Sequence, residues 1–383
     1  MKLITACTSL RRLLQLSLLS AGVLSSSVYA QQPIVIGQSA PLSGVLADTG
    51  KEMVLGGRIY FDHINSKGGI NGRKIQHVVL DDGYEVSRTV SNTRELLDKH
   101  GAVALFGYAG TGNIQRLLED KVLADAGVAM VGPYTGGESL RTPYNRYIFH
   151  IRAGYAEETA TMVKMLTGSG ITRLGVMYQD DAFGKAGLQG VVDALKPLNL
   201  EPVVSASYPK NTDDVQAAVQ AIAAKQPQAV ILISVNKSSA AFLTAYRKID
   251  PASLLFNVSV VNPKAIAAIA GSVDTRGFSI AQVVPNPLSE AFSAAREYRT
   301  LLARYGHGAE PSYTSFEEFL AAKTLVEGLQ RAKSPTREAI IAALESLERL
   351  DLGGYTVSFG PNNRRGSKWV ELVTIRKDGK VVY

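Results

Sequence analysis

The sequence predicts an α/β protein made of two successive doubly wound units facing each other across a cleft. Three observations carry that prediction. Short β-rich apolar runs alternate with helical patterns from Ile34 to about Leu255, the way parallel sheets covered on both faces read. The alternation comes as two series of four strands with the same element order. Beyond about Val284 it gives way to helices, and the chain closes on two short strands.

Taken in order, the first thirty residues read as an export signal. Lys2, Arg11 and Arg12 form its basic region, Leu13–Leu24 its apolar region, and Val28-Tyr29-Ala30 ends in the small-residue pattern that precedes cleavage. The apolar run is too short for a comfortable membrane span. Cleavage after Ala30 would remove three of the cations behind the net charge of +7 and leave 353 residues at +4, a length that fits two domains. The first strand is then Ile34–Gln38, followed by a helix at Lys51–Ile64 with apolar residues at helical spacing. Gly68-Gly69 can end that helix at positive φ, and Gly72 can supply a second reversal before the strand Ile75–Leu80. A helix at Arg88–Lys99, a strand at Val103–Phe106, a helix at Ile114–Ala126 and a strand at Val128–Val131 complete the first unit.

The second unit begins near Ile148–Arg152. Its strands are Leu174–Tyr178, Val203–Ala206, Ala229–Ser234 and Leu254–Asn257, separated by helices that include Ala156–Leu166, Lys185–Leu195 and Val215–Ala224. The late helices are Glu290–Tyr305, Tyr313–Ala332 and Pro335–Leu347, and the closing strands Tyr355–Phe359 and Trp369–Arg376.

Composition narrows the function classes. The basic charge is dispersed, densest at Asn362-Asn363-Arg364-Arg365 and Arg376-Lys377, whereas a nucleic-acid protein would cluster it along one face. No nucleic-acid partner is expected. The histidines His63, His77, His100, His150 and His307 lack metal-ligand spacing, so neither a metal nor a cofactor is expected. Cys7, the single cysteine, falls in the export signal, which leaves no disulfide and no thiol nucleophile. Neither a Gly-x-Ser-x-Gly elbow nor a phosphate-cradling loop occurs. Asp81-Asp82 at a strand end reads as turn capping. The expectation is a binding protein and not an enzyme.

Three segments point to a family. Ile34-Val-Ile-Gly-Gln-Ser-Ala-Pro-Leu-Ser-Gly44, the turn Asn65-Ser-Lys-Gly-Gly-Ile-Asn-Gly-Arg-Lys-Ile75 and the strand ending in Asp81-Asp82-Gly83 closely resemble, in this order, the N-terminal lobe of the branched-chain-amino-acid (leucine/isoleucine/valine) periplasmic binding proteins, the solute receptors of ABC importers. Later segments extend the resemblance over essentially the whole mature chain. It implies the type I periplasmic binding protein fold, two lobes with a hinge and an interlobe ligand cleft. The chain would cross three times, with residues 31–150 and 281–350 in the N-terminal lobe and 151–280 and 351–383 in the C-terminal lobe.

Ligands of open α/β sheets bind outside the carboxyl ends of the strands, where helix N-termini present unpaired N–H groups. Gly107-Tyr108-Ala109-Gly110-Thr111-Gly112-Asn113 is such a place: Tyr108, Thr111 and Gly112 lie where backbone amides and a hydroxyl can meet an anionic group. Thr111 is either that contact or simply a helix N-cap. Under the resemblance, Thr111 aligns with the carboxylate-binding hydroxyl, Tyr134 with a carbonyl that accepts from the ligand ammonium, and Gly136 with a threonine whose hydroxyl is lost here and which adjacent Thr135 could replace. Tyr155, at the lobe junction, is either a cleft wall or interdomain packing. Phe183 occupies the aromatic position of the family's Asp-x-aromatic-Gly-x-x-Gly turn, Asp181 to Gly187, in which Asp181 is expected to cap the helix. Ser259 falls where the family places an acid for the ligand ammonium. Either Glu138, Glu157 or another acid takes over, or the ligand has no α-ammonium group.

The resemblance implies an exported, periplasmic, monomeric receptor that captures a small amino-acid-like or carboxylate/amide solute by hinge closure and passes it to an inner-membrane ABC permease. The alternative is a ligand sensor or regulatory binding protein of the same fold.

Overall fold

The computed structural model describes residues 32–271, 273, 275–376 and 380–382. The segment expected to be an export signal, with its expected cleavage site and Cys7, lies outside the described residues. Two sheets organise the chain. The first holds five parallel strands in the order β2-β1-β3-β4-β5: β1 Ile34–Ala40, β2 Ile75–Asp81, β3 Ala104–Phe106, β4 Met130–Val131 and β5 Ile148–Phe149. Register along its longest pair runs from Ile34 opposite Ile75 to Ala40 opposite Asp81. The second is ordered β14-β13-β10-β9-β8-β6-β7. Its strands β6 Leu174–Gln179, β7 Val204–Tyr208, β8 Ala229–Ile233, β9 Leu254–Asn257 and β10 Phe278–Gln282 are parallel. The late strands β13 Glu371–Ile375 and β14 Val381–Val382 add to its edge in antiparallel fashion. A separate ribbon pairs β11 Leu350–Asp351 with β12 Thr356–Val357. This is the α/β architecture that the alternation of strands and helices predicts.

The segment from Asn65 to Ile75 folds as its glycines dictate. Gly68, Gly69 and Gly72 have φ of 107°, 82° and 80°, and the amide of Gly69 closes the helix Ala47–Ser66 onto the carbonyl of Ile64 at 3.0 Å. Asn65 then fixes the next strand, its side chain accepting from the Ile75 amide and donating to the Ile75 carbonyl, both at 2.8 Å. Elsewhere the sequence reading needs correction. The single helix expected at Ile114–Ala126 is two, Thr111–Glu119 and Val122–Ala126, because Lys121 between them takes a left-handed conformation with φ 55°. β5 and β10 and the helices Asn236–Tyr246 and Pro263–Ala270 were not anticipated. β5 is only two residues long, and Asn236–Tyr246 is rich in serine and alanine, so both lack a strong periodic signal.

Helix Tyr313–Arg331 is buried along most of its length and packs on helix Ala47–Ser66, which belongs to the first sheet's layer. At their crossing Gly56 brings the two backbones together. A Cβ there would lie 2.2 Å from the Ser315 carbonyl oxygen and 2.8 Å from the Glu318 Cβ. Neither atom is the end of a flexible side chain, so the helices would have to separate. Gly56→Ala is expected to lower unfolding stability by about 1–3 kcal/mol, the usual cost of overpacking. Urea denaturation checks this, and an unchanged midpoint would show that the crossing can relax freely.

Candidate functional site

The carboxyl ends of strands from both sheets converge on one small cavity of about 20 Å³, room for about one water. Leu46, Tyr84, Ala109, Gly110, Thr111 and Tyr134 line it from segments that follow strands of the first sheet. Tyr155, Phe183, Val235 and Val260 face them from the second sheet's layer. Thr111, Tyr134, Tyr155 and Phe183, named from the sequence, therefore share one cavity wall. Thr111 opens the nine-residue helix Thr111–Glu119, whose preceding Gly110 has φ 94°. Its hydroxyl pairs with that of Thr135 at 2.7 Å, and Thr135 accepts from the Gly137 amide at 3.1 Å. Its N-cap is Gly110, which has no side chain to accept from the first amides. Opposite, the rings of Tyr155 and Phe183 sit 5.4 Å apart at 55°. Burial pushes the Tyr155 phenol up to about 12, so it is a neutral donor at physiological pH.

The other sequence-named residues lie around this wall and not in it. Thr135 and Gly136 form the layer behind: the Gly136 carbonyl accepts from the Tyr155 amide at 2.8 Å, and a Cβ on Gly136 would come within 2.6 Å of that nitrogen. Tyr108 is buried among Leu96, Leu105 and Ile114, where its hydroxyl meets Thr93 at 3.1 Å. Gly112 faces Ala182 at the start of helix Ala182–Leu195, with 3.7 Å from its would-be Cβ to the Ala182 Cβ. Asp181 caps that helix, accepting from the Gly184 amide at 3.1 Å. Asp81 and Asp82 are turn caps: Asp81 accepts from the amides of Leu42 and Gly83, and Asp82 from the Tyr84 amide and the hydroxyls of Ser39 and Thr89.

Ser259 belongs to a buried ionic cluster beside the cavity. Its amide and hydroxyl donate to the two Glu158 oxygens at 2.7 and 3.0 Å, and its hydroxyl accepts from Arg152. Arg152 is fully buried, 3.6 Å from Glu158 and 3.5 Å from Glu317, with its guanidinium 4.9 Å from the centre of the Tyr134 ring. Tyr134 in turn shares its hydroxyl with Thr314 at 3.0 Å. The two acids offered from sequence as substitutes for Ser259 are engaged elsewhere. Glu138 pairs with Arg365 at 2.9 Å, and Glu157 accepts from the Gly154 amide at 2.9 Å. None of the ten residues lining the cavity is acidic.

Sequence reasoning missed Leu46, Tyr84, Val235 and Val260 in the wall, and Arg152 and Glu317 behind it. The four lining residues follow β1, β2, β8 and β9, so the rule that led to Thr111 would have reached them had it been applied at every strand end. Arg152 and Glu317 gave no such signal, since burial of a charge is a tertiary fact.

Together these features define a class: an α/β protein with two sheets and a small, largely apolar cavity between their strand ends. The chain is a member of the periplasmic binding protein family, whose profile matches residues 33–380. It is 26% identical to the Leu/Ile/Val-binding protein homolog 7 of Brucella suis biovar 1, over 94% of this chain and 96% of that one. Among solved structures it is similar to a substrate-binding periplasmic protein from Ralstonia solanacearum, at 38% identity and TM-score 0.87, covering 91% of this chain and 99% of the other. A possible leucine/isoleucine/valine-binding protein from Rhodopirellula baltica matches at 29% identity and TM-score 0.86, over 94% and 98%. No helix among the described residues is long and apolar enough to cross a membrane.

Burial pushes Glu317 up to about 7, against the pull of Arg152 and with further push from Glu158. A carboxyl whose folded pKa lies above its unfolded value binds more protons folded than unfolded, so it lowers stability as pH rises from about 4.5 to 7. Glu317→Gln removes this titration. Its stability relative to the parent is expected to improve as pH increases through that window, measured by urea denaturation at pH 4.5, 6 and 8. A difference that stays constant would show that Glu317 does not titrate there.

Proposed function

We propose that this protein is the substrate-binding component of an ABC importer and takes a small solute with a carboxylate or amide head and an apolar body. The carrying observation is the cavity wall: a hydroxyl and free amides at the start of helix Thr111–Glu119 at one side, rings and aliphatic groups elsewhere, and no acid. A helix N-terminus stabilises an anion through its amides and its dipole. A solute ammonium would find no countercharge in this wall, and the nearby Glu158 is committed to Ser259 and Arg152. In this reading Thr111 and the amides around it, with Thr135 and Gly136 behind, hold the head group, while Tyr84, Tyr134, Tyr155, Phe183 and Val260 cover the body.

At about 20 Å³ the cavity cannot admit such a solute unless the walls part. The reading therefore includes a hinge between a lobe of residues 31–150 and 281–350 and one of 151–280 and 351–383. Solute favours closure by binding the closed form better than the open one. An inner-membrane permease would receive solute from the closed monomer in the periplasm. The leucine/isoleucine/valine-binding names of the relatives support a solute of that size.

A panel of leucine, its deaminated analogue 4-methylpentanoate and phenylacetate, screened by thermal shift and then calorimetry, tests the reading. The carboxylates without an ammonium are expected to bind at least as well as leucine. Tight leucine binding with rejection of 4-methylpentanoate would restore the ordinary amino-acid assignment. In the same assay Thr111→Ala should weaken carboxylate binding by about 1–3 kcal/mol, the range for a hydrogen bond to a charged group, with the fold intact. Equal affinity would remove Thr111 from the site.

A further inference from the structure

Outside the cavity wall, the charged side chain of Lys210 crosses from the second sheet's layer to the first. Lys210 follows β7 and extends its ammonium to the Asn113 side-chain oxygen, 3.0 Å away, in the first turn of helix Thr111–Glu119. The same ammonium lies 4.1 Å from the centre of the Tyr84 ring, and Tyr84 lines the cavity. Neighbouring contacts join the same two surfaces: Gln179 donates to the Tyr84 hydroxyl at 3.2 Å, and Asn211 donates to Glu85. Both ends of the lysine bridge are anchored. Asn113 donates to Thr89 at 2.8 Å and Thr89 to Asp82 at 2.9 Å. On the other side Asp181 stands 3.7 Å from the ammonium and accepts from Gln179 at 2.9 Å.

We propose that Lys210 is a closure-dependent positioning residue that sets charge specificity: bringing the layers together delivers its cation to the N-terminal turn where the solute's negative head is held. This rests on the carboxylate reading above. The bridges Asn236 to Thr49 and Asn262 to Glu52 also join the layers, but their donors are neutral amides. Lys210 is mostly buried, which disfavours its charge, and the acids Asp181, Glu85 and Asp82 offset that only in part. A further negative charge near the helix start, separated from the ammonium by the Tyr84 ring, completes the neutralisation. Separation of the layers breaks the contact with Asn113, so the open form loses this attraction. An anionic solute thereby gains differential affinity for the closed state, the quantity that drives closure.

The test uses the mature protein with Lys210 intact, Lys210→Met and Lys210→Arg, each carrying spin labels at Ser91→Cys and Gln220→Cys on the two layers. Without added solute, Lys210→Met is expected to shift the distance distribution to longer separations and Lys210→Arg to restore the parent distribution. With phenylacetate and phenylacetamide as matched probes, Lys210→Met should lose about tenfold in carboxylate affinity while amide affinity changes little, and Lys210→Arg should recover the difference. An unchanged distance distribution in Lys210→Met, or an unchanged carboxylate-to-amide ratio, would overturn the proposal. If the parent itself binds neither probe or prefers the amide, the carboxylate reading has failed, and the distance measurement alone decides the role of Lys210.

Discussion

A guanidinium without solvent ties the two layers together beside the cavity. Arg152 sits where the chain leaves the first sheet for the second, and a buried cation is tolerable only when acids and hydrogen bonds surround it. The acids come from both sides: Glu317 from a helix packed on the first layer, Glu158 from a helix of the second. Moving either element away strands a charge. Tyr355 reinforces the same place, its hydroxyl 2.7 Å from the Ile151 carbonyl and 3.0 Å from that of Val283. Three connecting segments that are far apart in sequence thus meet at one phenol and one arginine, next to the cavity and behind the Tyr134 ring.

That constraint shapes the wall in front of it. By taking Glu158 and the polar atoms of Ser259, the arginine leaves Val260 and Val235 as the surface presented on that side. At the opposite end helix Thr111–Glu119 begins and Lys210 reaches across to Asn113. The cavity therefore lies between a buried ionic cluster and the start of a helix, with an apolar middle. In the proposed reading, packing around Arg152 would fix how the layers pivot while the helix end would decide what they close on.

Much of the fold was legible because it rests on local rules. Gly68, Gly69 and Gly72 announced a helix end and a turn, and each has the positive φ those positions need. Strand β9 has the residues its apolar run predicts. Asp181 capped its helix because an aspartate before a glycine-rich helical start has few other uses. Short strands such as β5, stabilised by their neighbours on the sheet and not by their own pattern, escaped notice. In the site, Thr111 was readable from its place after a strand end, and Phe183 from its match to the family's glycine-rich turn. The ionic cluster was not, because Ser259 and Glu317 reach Arg152 and Glu158 from distant parts of the sequence and burial of these charges is a tertiary fact.

The central claim is that a solute's anionic head meets the start of helix Thr111–Glu119 and no acid waits for an ammonium. A crystal structure of the protein, purified without denaturation and grown with the tightest binder from the panel, addresses it most directly. The account predicts a solute between Thr111 and Phe183, with a carboxylate or amide oxygen in hydrogen-bond range of the Thr111 hydroxyl or the adjacent amides, and Arg152 still paired with Glu158 and Glu317. A solute ammonium bonded to Glu158, with Arg152 displaced from it, would contradict the account.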